Sequence, residues 1–538
     1  MPDLVTWTKT PHIRPDFRGP VERDYTPFTD PAVAAPMLEN LRSVASACPD
    51  SVAIDGDDGV LTFAGLLRAV ARLGAAIEAA RPEPGPVGIL LPASAAYTVG
   101  VFACLAAGRL GVLLDDTFPE ARNAAVAAET GVNLVLATSR VAASLNWPGV
   151  AVIDVAELLD DRAPAPGLPA RHLGLDEPAF VLCTSGSSGR PKPIAHSQRT
   201  MLHWARTTHD ALHVRPEDRV LSLSSPSALG GFTALLSYPL AGASSQMLDV
   251  KAAGLGGLLR VLATGPVSIL RAAPSLLRVL VQLPEAAAAF AGLRVVQTYG
   301  EPLMKADVVA LRLALPPGCH IRTTYGSTEA SGLSWFAGEP DDHDALRVAT
   351  GALMPDTAAA ILDDEGRSRA PGEVGELVIR SRYNALGEWV GERLVPGRLE
   401  PDPSDSAWRI YRTGDIARCH ADGVFVVLGR KDGMMKVNGQ RFEPAEIEAV
   451  LRRSPGVERA EVVVSSLDGP ARLLAFVVAA DGAAPRLAGE LREALRASLP
   501  SFMMPSRIVL VSAVPLLPGG KVDAAALLAM AAGGADAA

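Results

Sequence analysis

The sequence predicts an α/β protein, with a large N-terminal domain of parallel-rich sheets and helices over residues 1–431 and a small α+β domain over residues 432–538. Three observations carry that expectation. A chain of 538 residues is too long for one hydrophobic core, because domains usually hold about 100–200 residues. Short apolar runs ending in Gly-containing loops alternate with helical segments, which is the pattern of parallel crossover units. Beyond Gly429-Arg430-Lys431-Asp432-Gly433 the texture shifts to brief alternations with their own apolar runs, enough for a separate small domain.

The elements follow in order. Val87 to Leu91, Ser94 to Gly108 and Leu110 to Leu114 read as strand, apolar helix and strand. Leu221 to Leu248 is the longest uncharged stretch. It has the length of a membrane span, but Pro226, Gly230, Gly231, Pro239 and Gly242 break it, and it reads as buried core. Leu293 to Thr298 ends at Tyr299-Gly300-Glu301-Pro302, a helix starts at Met304, and His320 to Thr324 ends at Tyr325-Gly326. Loops after parallel strands open at one sheet edge, where open α/β sheets bind ligands, so Glu301 and Tyr325 are expected near one site. Ser381 to Ser406 lacks periodicity and reads as a surface excursion. The small domain offers a helix from Pro444 to Arg453, strands near Glu461 to Ser465 and Leu473 to Ala479, and a helix from Leu487 to Leu499. Its Ala/Gly-rich tail from Ala531 reads as frayed.

Composition excludes several classes. Apolar residues make up 49% and charged residues 20%, and 50 basic against 59 acidic side chains leave a net charge of −9. No basic block exists to bind nucleic-acid phosphates, so no nucleic-acid partner is expected, and no segment points to a membrane. The five cysteines are odd in number and far apart, without a CxxC pair, so neither a disulfide framework nor a local zinc site is encoded. The N-terminus lacks a basic region followed by an apolar core, and a cytoplasmic address is the default expectation.

The densest chemical signal is Thr184-Ser185-Gly186-Ser187-Ser188-Gly189-Arg190-Pro191-Lys192, directly after the apolar run Ala179 to Cys183. Small residues let backbone N–H groups approach an anion, hydroxyls add donors and a lysine adds charge, which suits a polyphosphate. The spacing is not that of a Walker loop. Tyr325-Gly326-Ser327-Thr328-Glu329 offers an aromatic face for a base, a hydroxyl for a phosphate and a carboxylate for Mg2+. Tyr411-Arg412-Thr413-Gly414-Asp415 puts a carboxylate just after an expected strand, where it can accept ribose hydroxyls. Lys436 to Glu443 follows at the domain boundary, and Pro515 to Asp523 presents Lys521 on a Gly-rich loop.

This ordered set resembles the adenylate-forming superfamily of acyl-CoA synthetases, peptide-synthetase adenylation domains and luciferases, from about Phe28 to Leu527. The phrase Leu499-Pro500-Ser501-Phe502-Met503-Met504-Pro505 looks closest to the stand-alone peptide-synthetase branch. The resemblance implies ATP and Mg2+ as cofactors and a large multi-subdomain N-terminal domain with a small, mobile C-terminal one. It implies that Thr184, Ser185, Gly186, Ser187, Ser188, Gly189 and Lys192 hold the β and γ phosphates. Gly300, Glu301 and Pro302 line the adenine, Tyr325 stacks on it and Thr328 touches the α-phosphate. Glu329 binds Mg2+, Asp415 the ribose hydroxyls, and Arg430 the ribose or phosphate side. Lys521 bridges the attacking acid and the α-phosphate, where the transition state gathers charge. Asp432 is the hinge whose rotation exchanges Lys521 for the Gly439 loop in the thiol step.

Departures from the family bear on the acid. Pro193, Tyr299 and Thr323 differ from its usual residues, and gapless matching sets Leu229 where a peptide-synthetase aspartate would pair an α-ammonium. A leucine cannot pair that charge, so an α-amino acid is disfavoured. The same matching puts Gly230, Thr233, Arg271, Gln297, Tyr299, Thr324, Gly332 and Leu333 around the acid. Arg271 either faces the pocket and pairs with a second polar or anionic group, or points to solvent from a strand end. His196 reads as a helix-start residue, and His203 and His209 lie on the following helix. The expected reaction joins a small-molecule acid, small, polar and without an α-amino group, to AMP and hands it to a carrier-protein thiol or CoA supplied in trans. Alternatives are an amine acceptor, an inorganic oxyacid, and a silent nucleotide-binding protein.

Overall fold

Parallel strands buried on both faces need near-continuous apolar sequence, and such runs build the centre of two sheets. The computed structural model describes residues 5–9, 13–20, 33–158, 166–168, 173–184, 191–338, 341–431, 435–437, 440–442, 444–465, 472–480, 487–515 and 522–533. Among these, a nine-stranded sheet has the parallel order His320–Gly326, Val295–Tyr299, Ile269–Ala272, Arg219–Ser222, Ser244–Gln246 and Val52–Gly56, with antiparallel strands at its ends. An eight-stranded sheet is built around Val87–Leu90 and Gly111–Leu113, which pair in parallel as expected. The connecting helix Ala95–Ala106 is buried at every residue. Its apolar sequence leaves no capping side chain inside it, and the Asp58 carboxylate instead accepts from the amides of Ala95 (2.8 Å) and Ala96 (2.9 Å).

A third, antiparallel sheet carries Thr357–Leu362, Val374–Ser381, Leu399–Asp402, Asp405–Cys419 and Phe425–Arg430. The chain divides into two units: Met1–Asp115, Val126–Cys183 and Pro193–Asp432 form one, and Asp116–Ala125, Thr184–Lys192 and Gly433–Ala538 the other. In the second, the three strands Val457–Ser465, Arg472–Ala479 and Arg507–Val511 form a sheet. The amphipathic helices Pro444–Arg453 and Leu487–Ser498 contribute Ile447, Leu451, Leu491 and Leu495 to a core with Leu473, Ala475 and Val477.

Several expectations are corrected. Ser381 to Ser406 is not a bare excursion, for it holds strands Gly387–Val390, Arg393–Val395 and Leu399–Asp402, the first paired to Lys192–Ser197. These are too short to show a period. Asp415 lies within the long strand Asp405–Cys419 and not after one. The helix Ala524–Gly533 runs through Ala531, whose side chain is packed with Phe476 and Leu527. His196 does not start a helix: Ser197 caps Gln198–Leu212, accepting from the Thr200 amide, and His196 is the penultimate, fully buried residue of the strand Lys192–Ser197. Leu221 to Leu248 is divided between two short strands and the helix Leu229–Leu240, and no helix among the described residues is long and apolar enough to cross a membrane.

Candidate functional site

Strands Val295–Tyr299 and His320–Gly326 run side by side with Tyr299 opposite Thr324, so both release their loops at one edge. Gly300 follows at φ 81°, a left-handed turn that glycine adopts without a Cβ penalty. Glu301 then turns its carboxylate onto Ser275, accepting from its amide at 3.1 Å and its hydroxyl at 2.9 Å, at the start of helix Pro274–Leu280. The carboxylate thus steadies the turn from Gly300 to Pro302.

Tyr325, buried next to the end of its strand, donates its hydroxyl to the Asp415 carboxylate. Asp415 is 2% exposed, and its other oxygen accepts from Arg430 Nη1 at 3.1 Å. The sheet register sets this contact, since Asp415 and Arg430 are direct partners on antiparallel strands. Arg430 Nη1 also donates to the Thr413 carbonyl at 2.5 Å, and the Thr413 hydroxyl binds the Leu377 carbonyl at 2.7 Å while accepting from the Asp415 amide at 2.9 Å. Gly414 stands at φ 68°, and a Cβ there would lie 2.8 Å from Arg430 Nη2. A buried carboxylate is costly without partners, and here a phenol and a guanidinium supply them.

Thr328 and Glu329 occupy a tight reversal between His320–Gly326 and Ser331–Phe336, closed by Ser327 N donating to Ala330 O at 2.7 Å. The Ala385 amide donates to the Glu329 carbonyl at 2.8 Å. Buried His196 packs edge-on against Trp204 and faces the Thr328 main chain. Burial holds its ring down at about 3, so it is a neutral support for the turn. Thr184 closes strand Pro178–Thr184 and Lys192 opens Lys192–Ser197. Ser185, Gly186, Ser187, Ser188, Gly189, Asp432, Gly439 and Lys521 lie outside the described residues.

Some of the residues expected around the acid share one sheet face. Ser222, Arg271, Gln297 and Arg322 are consecutive register partners across four parallel strands, so their side chains share a face. The helix Leu229–Leu240 covers it. Arg271 is 4% exposed and does not reach solvent from its strand; Nη2 donates to Thr233 at 3.3 Å, and its guanidinium lies 5.6 Å from the Tyr299 ring and 5.9 Å from the Tyr238 ring. A Cβ on Gly230 would meet the Tyr299 ring at 2.9 Å, so glycine there makes room for the tyrosine. Leu229 is half-buried against the apolar core. Thr324 donates to the Thr298 carbonyl at 3.2 Å, Leu333 is buried opposite Tyr325, and a Cβ on Gly332 would touch Ile379 Cδ1 at 2.7 Å. Burial pushes the Tyr238 and Tyr299 phenols up, keeping both neutral.

Sequence reasoning missed Arg322, Tyr238 and Asp115. The Asp115 carboxylate accepts from the hydroxyls of Ser225 and Ser227, both at 2.6 Å, and so fixes the loop before the Leu229 helix. For Arg322 a signal existed: it is a charge at the centre of an expected parallel strand, where both faces are buried.

The described groups suit a nucleoside. A tyrosine face, a buried carboxylate suited to vicinal hydroxyls and an arginine converge at one strand edge. Comparison with known proteins agrees. The AMP-binding enzyme family matches residues 41–389, and the AMP-binding enzyme C-terminal domain matches residues 446–521. Novobiocin biosynthesis protein H of Streptomyces niveus is 32% identical over 93% of this chain and 83% of its own length. Phosphinothricin tripeptide synthetase PhsC of Streptomyces viridochromogenes is 33% identical over 90% of this chain, which spans 44% of that protein's length. Among solved structures, holo-PA1221, a nonribosomal peptide synthetase protein with adenylation and PCP domains, superposes at TM-score 0.78 with 26% identity, covering 93% of this chain and 85% of that one. Amide bond synthetase McbA of Marinactinospora thermotolerans does so at 0.74 with 25% identity, covering 91% and 99%.

Proposed function

The chain belongs to the AMP-binding enzyme family of adenylate-forming ligases, and on that premise we propose that it activates a small polar carboxylic acid without an α-ammonium group and passes it to a carrier-protein thiol or to CoA. One observation carries the choice of acid. Arg271 is buried beside Thr233 and Tyr299, and by the sequence matching Leu229 would replace the carboxylate that an ammonium needs.

ATP is consumed as a substrate. A carboxylate oxygen of the acid attacks the α-phosphorus, the bond to the β-phosphate oxygen breaks, and pyrophosphate leaves. Tyr325 would stack on the adenine beside the Gly300–Pro302 turn. Asp415, steadied by Tyr325 and Arg430, would accept the ribose hydroxyls with its remaining lone pairs. Thr328 would place a donor at the α-phosphate, and Thr184, Lys192 and the segment from Ser185 to Gly189 would take the leaving phosphates. Glu329 would hold Mg2+, which supplies charge neutralisation for the phosphates. Lys521 would meet the charge that gathers as the carboxylate attacks. In the second step a thiol sulfur attacks the acyl carbonyl, AMP departs with the bonding pair, and the thiol proton passes to solvent. The related peptide-synthetase protein with a PCP domain supports a carrier thiol, and the related amide bond synthetase supports an amine as the second reading.

ATP–pyrophosphate exchange over a panel of amino, hydroxy, dicarboxylic and fatty acids tests the first step. Mass spectrometry of the product with carrier, CoA or amine present tests the second. Exchange driven best by an ordinary α-amino acid would overturn the acid assignment.

A further inference from the structure

Arg322 is fully buried against the Phe336 ring at 5.9 Å, yet only its Nε has a hydrogen-bond partner, the Ser334 hydroxyl at 2.8 Å. Nη1 and Nη2 have none, and Arg271 likewise leaves Nε and Nη1 unmatched. The two arginines stand two strands apart in one register row, with Gln297 between them, so their Cα atoms are separated by about 10 Å. Each feels the phenol of Tyr238, whose hydroxyl is also unmatched, as is Oε1 of the intervening Gln297. No carboxylate among the described residues is paired with either guanidinium. Asp218, whose charge reaches Tyr238, is taken by Arg294 at 2.8 and 2.5 Å, by the Ser268 hydroxyl at 2.7 Å and by the Arg215 amide at 2.8 Å.

Two like charges buried together without an anion are costly, and a protein keeps such an arrangement only where something completes it. Burial and the charge of Arg271 push Arg322 down to about 10, which leaves it cationic at neutral pH. Tyr299 closes a strand of the same face, and Gly230 and Thr233, also placed by sequence around the acid, meet Tyr299 and Arg271 from the helix Leu229–Leu240.

We propose that Arg271 and Arg322 form a buried receptor for a second carboxylate on the acid substrate, with Gln297 and Tyr238 as neutral hydrogen-bonding partners, so that the activated acid is a dicarboxylate. This rests on the ligase reading above. One carboxylate is anchored at the depth of Arg322, and the other is presented toward the Thr328 turn for attack on ATP. The Leu229 departure fits, since an α-ammonium has no partner and the fixed charge in the pocket is positive.

The test uses the full chain and α,ω-dicarboxylic acids of three to eight carbons, each paired with its monomethyl ester. For at least one length, pyrophosphate exchange with the diacid is expected to exceed that with its ester on the order of 100-fold, because the ester leaves a buried guanidinium uncompensated. In Arg322→Met and in Arg271→Met that ratio falls to near unity. Exchange with monocarboxylic acids but a ratio near one in the wild type at every length overturns the receptor and leaves the ligase reading standing. Should no acid drive exchange, the melting temperature without ATP decides: a rise with a diacid but not with its ester supports the receptor, and no difference overturns it. Equal stabilisation by sulfate and diacid, with a ratio near one, marks an adventitious ion only and also overturns it. The wild-type ratio needs no variant, so misfolding of either substitution leaves the test intact.

Discussion

Gly414 carries two constraints at once. Its φ of 68° disfavours a side chain, and a Cβ would crowd Arg430 Nη2 at 2.8 Å. Gly414→Ala is therefore expected to cost about 1–3 kcal/mol of strain, released by displacing Arg430 from Asp415. The measurable result is a KM for ATP raised on the order of tenfold, with the preference among acids unchanged; an unaltered KM would show that the Asp415–Arg430 pair does not serve the nucleotide. His196 makes a pH prediction. Its folded value near 3 lies below the ordinary value of 6.5, so the unfolded chain binds a proton that the folded one refuses. Stability from this residue is complete above pH 6.5 and falls as pH drops toward 3, by about 1.4 kcal/mol per unit. His196→Leu should flatten that slope in urea titrations between pH 7 and pH 5, and an unchanged slope would refute it. At this scale the sequence was legible where position follows from the strand, as with Glu301 and Tyr325, which lie at the ends of adjacent parallel strands. It was opaque where partners come from strand register: Arg322 gains its meaning only beside Gln297 and Arg271, which lie far away in the chain.

Elements were legible in proportion to burial. Val87–Leu90, Gly111–Leu113 and Val295–Tyr299 are short apolar runs because both faces of a central parallel strand are covered, and the crossover helix Ala95–Ala106 is apolar all round for the same reason. The strands within Ser381 to Ser406 lie at sheet margins, where Arg393–Val395 is exposed throughout, so no hydrophobic pattern announced them. Capping partners are equally hidden when they come from another element. Asp58, in the turn between Val52–Gly56 and Gly59–Thr62, holds the first amides of the crossover helix. Asp58→Ala should destabilise the protein by about 1 kcal/mol in denaturant unfolding, whereas Asp58→Asn should recover part of the loss. A loss no smaller in Asn than in Ala would mean that the helix-facing charge, and not the acceptor geometry, supplies the effect.

At the scale of the whole molecule, adenylation and transfer ask for opposite surroundings of the α-phosphate, a cation while the carboxylate attacks and an open path for a thiol afterwards. One rigid arrangement serves both poorly, and in the mechanism that the family resemblance implies Lys521 would serve the first step and Gly439 the second. The two half-reactions should then separate genetically. Lys521→Ala is expected to lower pyrophosphate exchange on the order of 100- to 1000-fold, the usual loss of one group stabilising transition-state charge. It should still transfer the acyl group from a supplied acyl adenylate to a thiol. Gly439→Leu should leave exchange within a few-fold and slow that transfer, because in that mechanism Gly439 acts only in the second step. Asp432→Pro, which restricts φ at the expected hinge position, should behave like Gly439→Leu if adenylation is the resting arrangement and like Lys521→Ala if thiol transfer is. Equal damage to both steps by Lys521→Ala and Gly439→Leu would mean that the two loops act together in one arrangement, and the rotation would have to be abandoned.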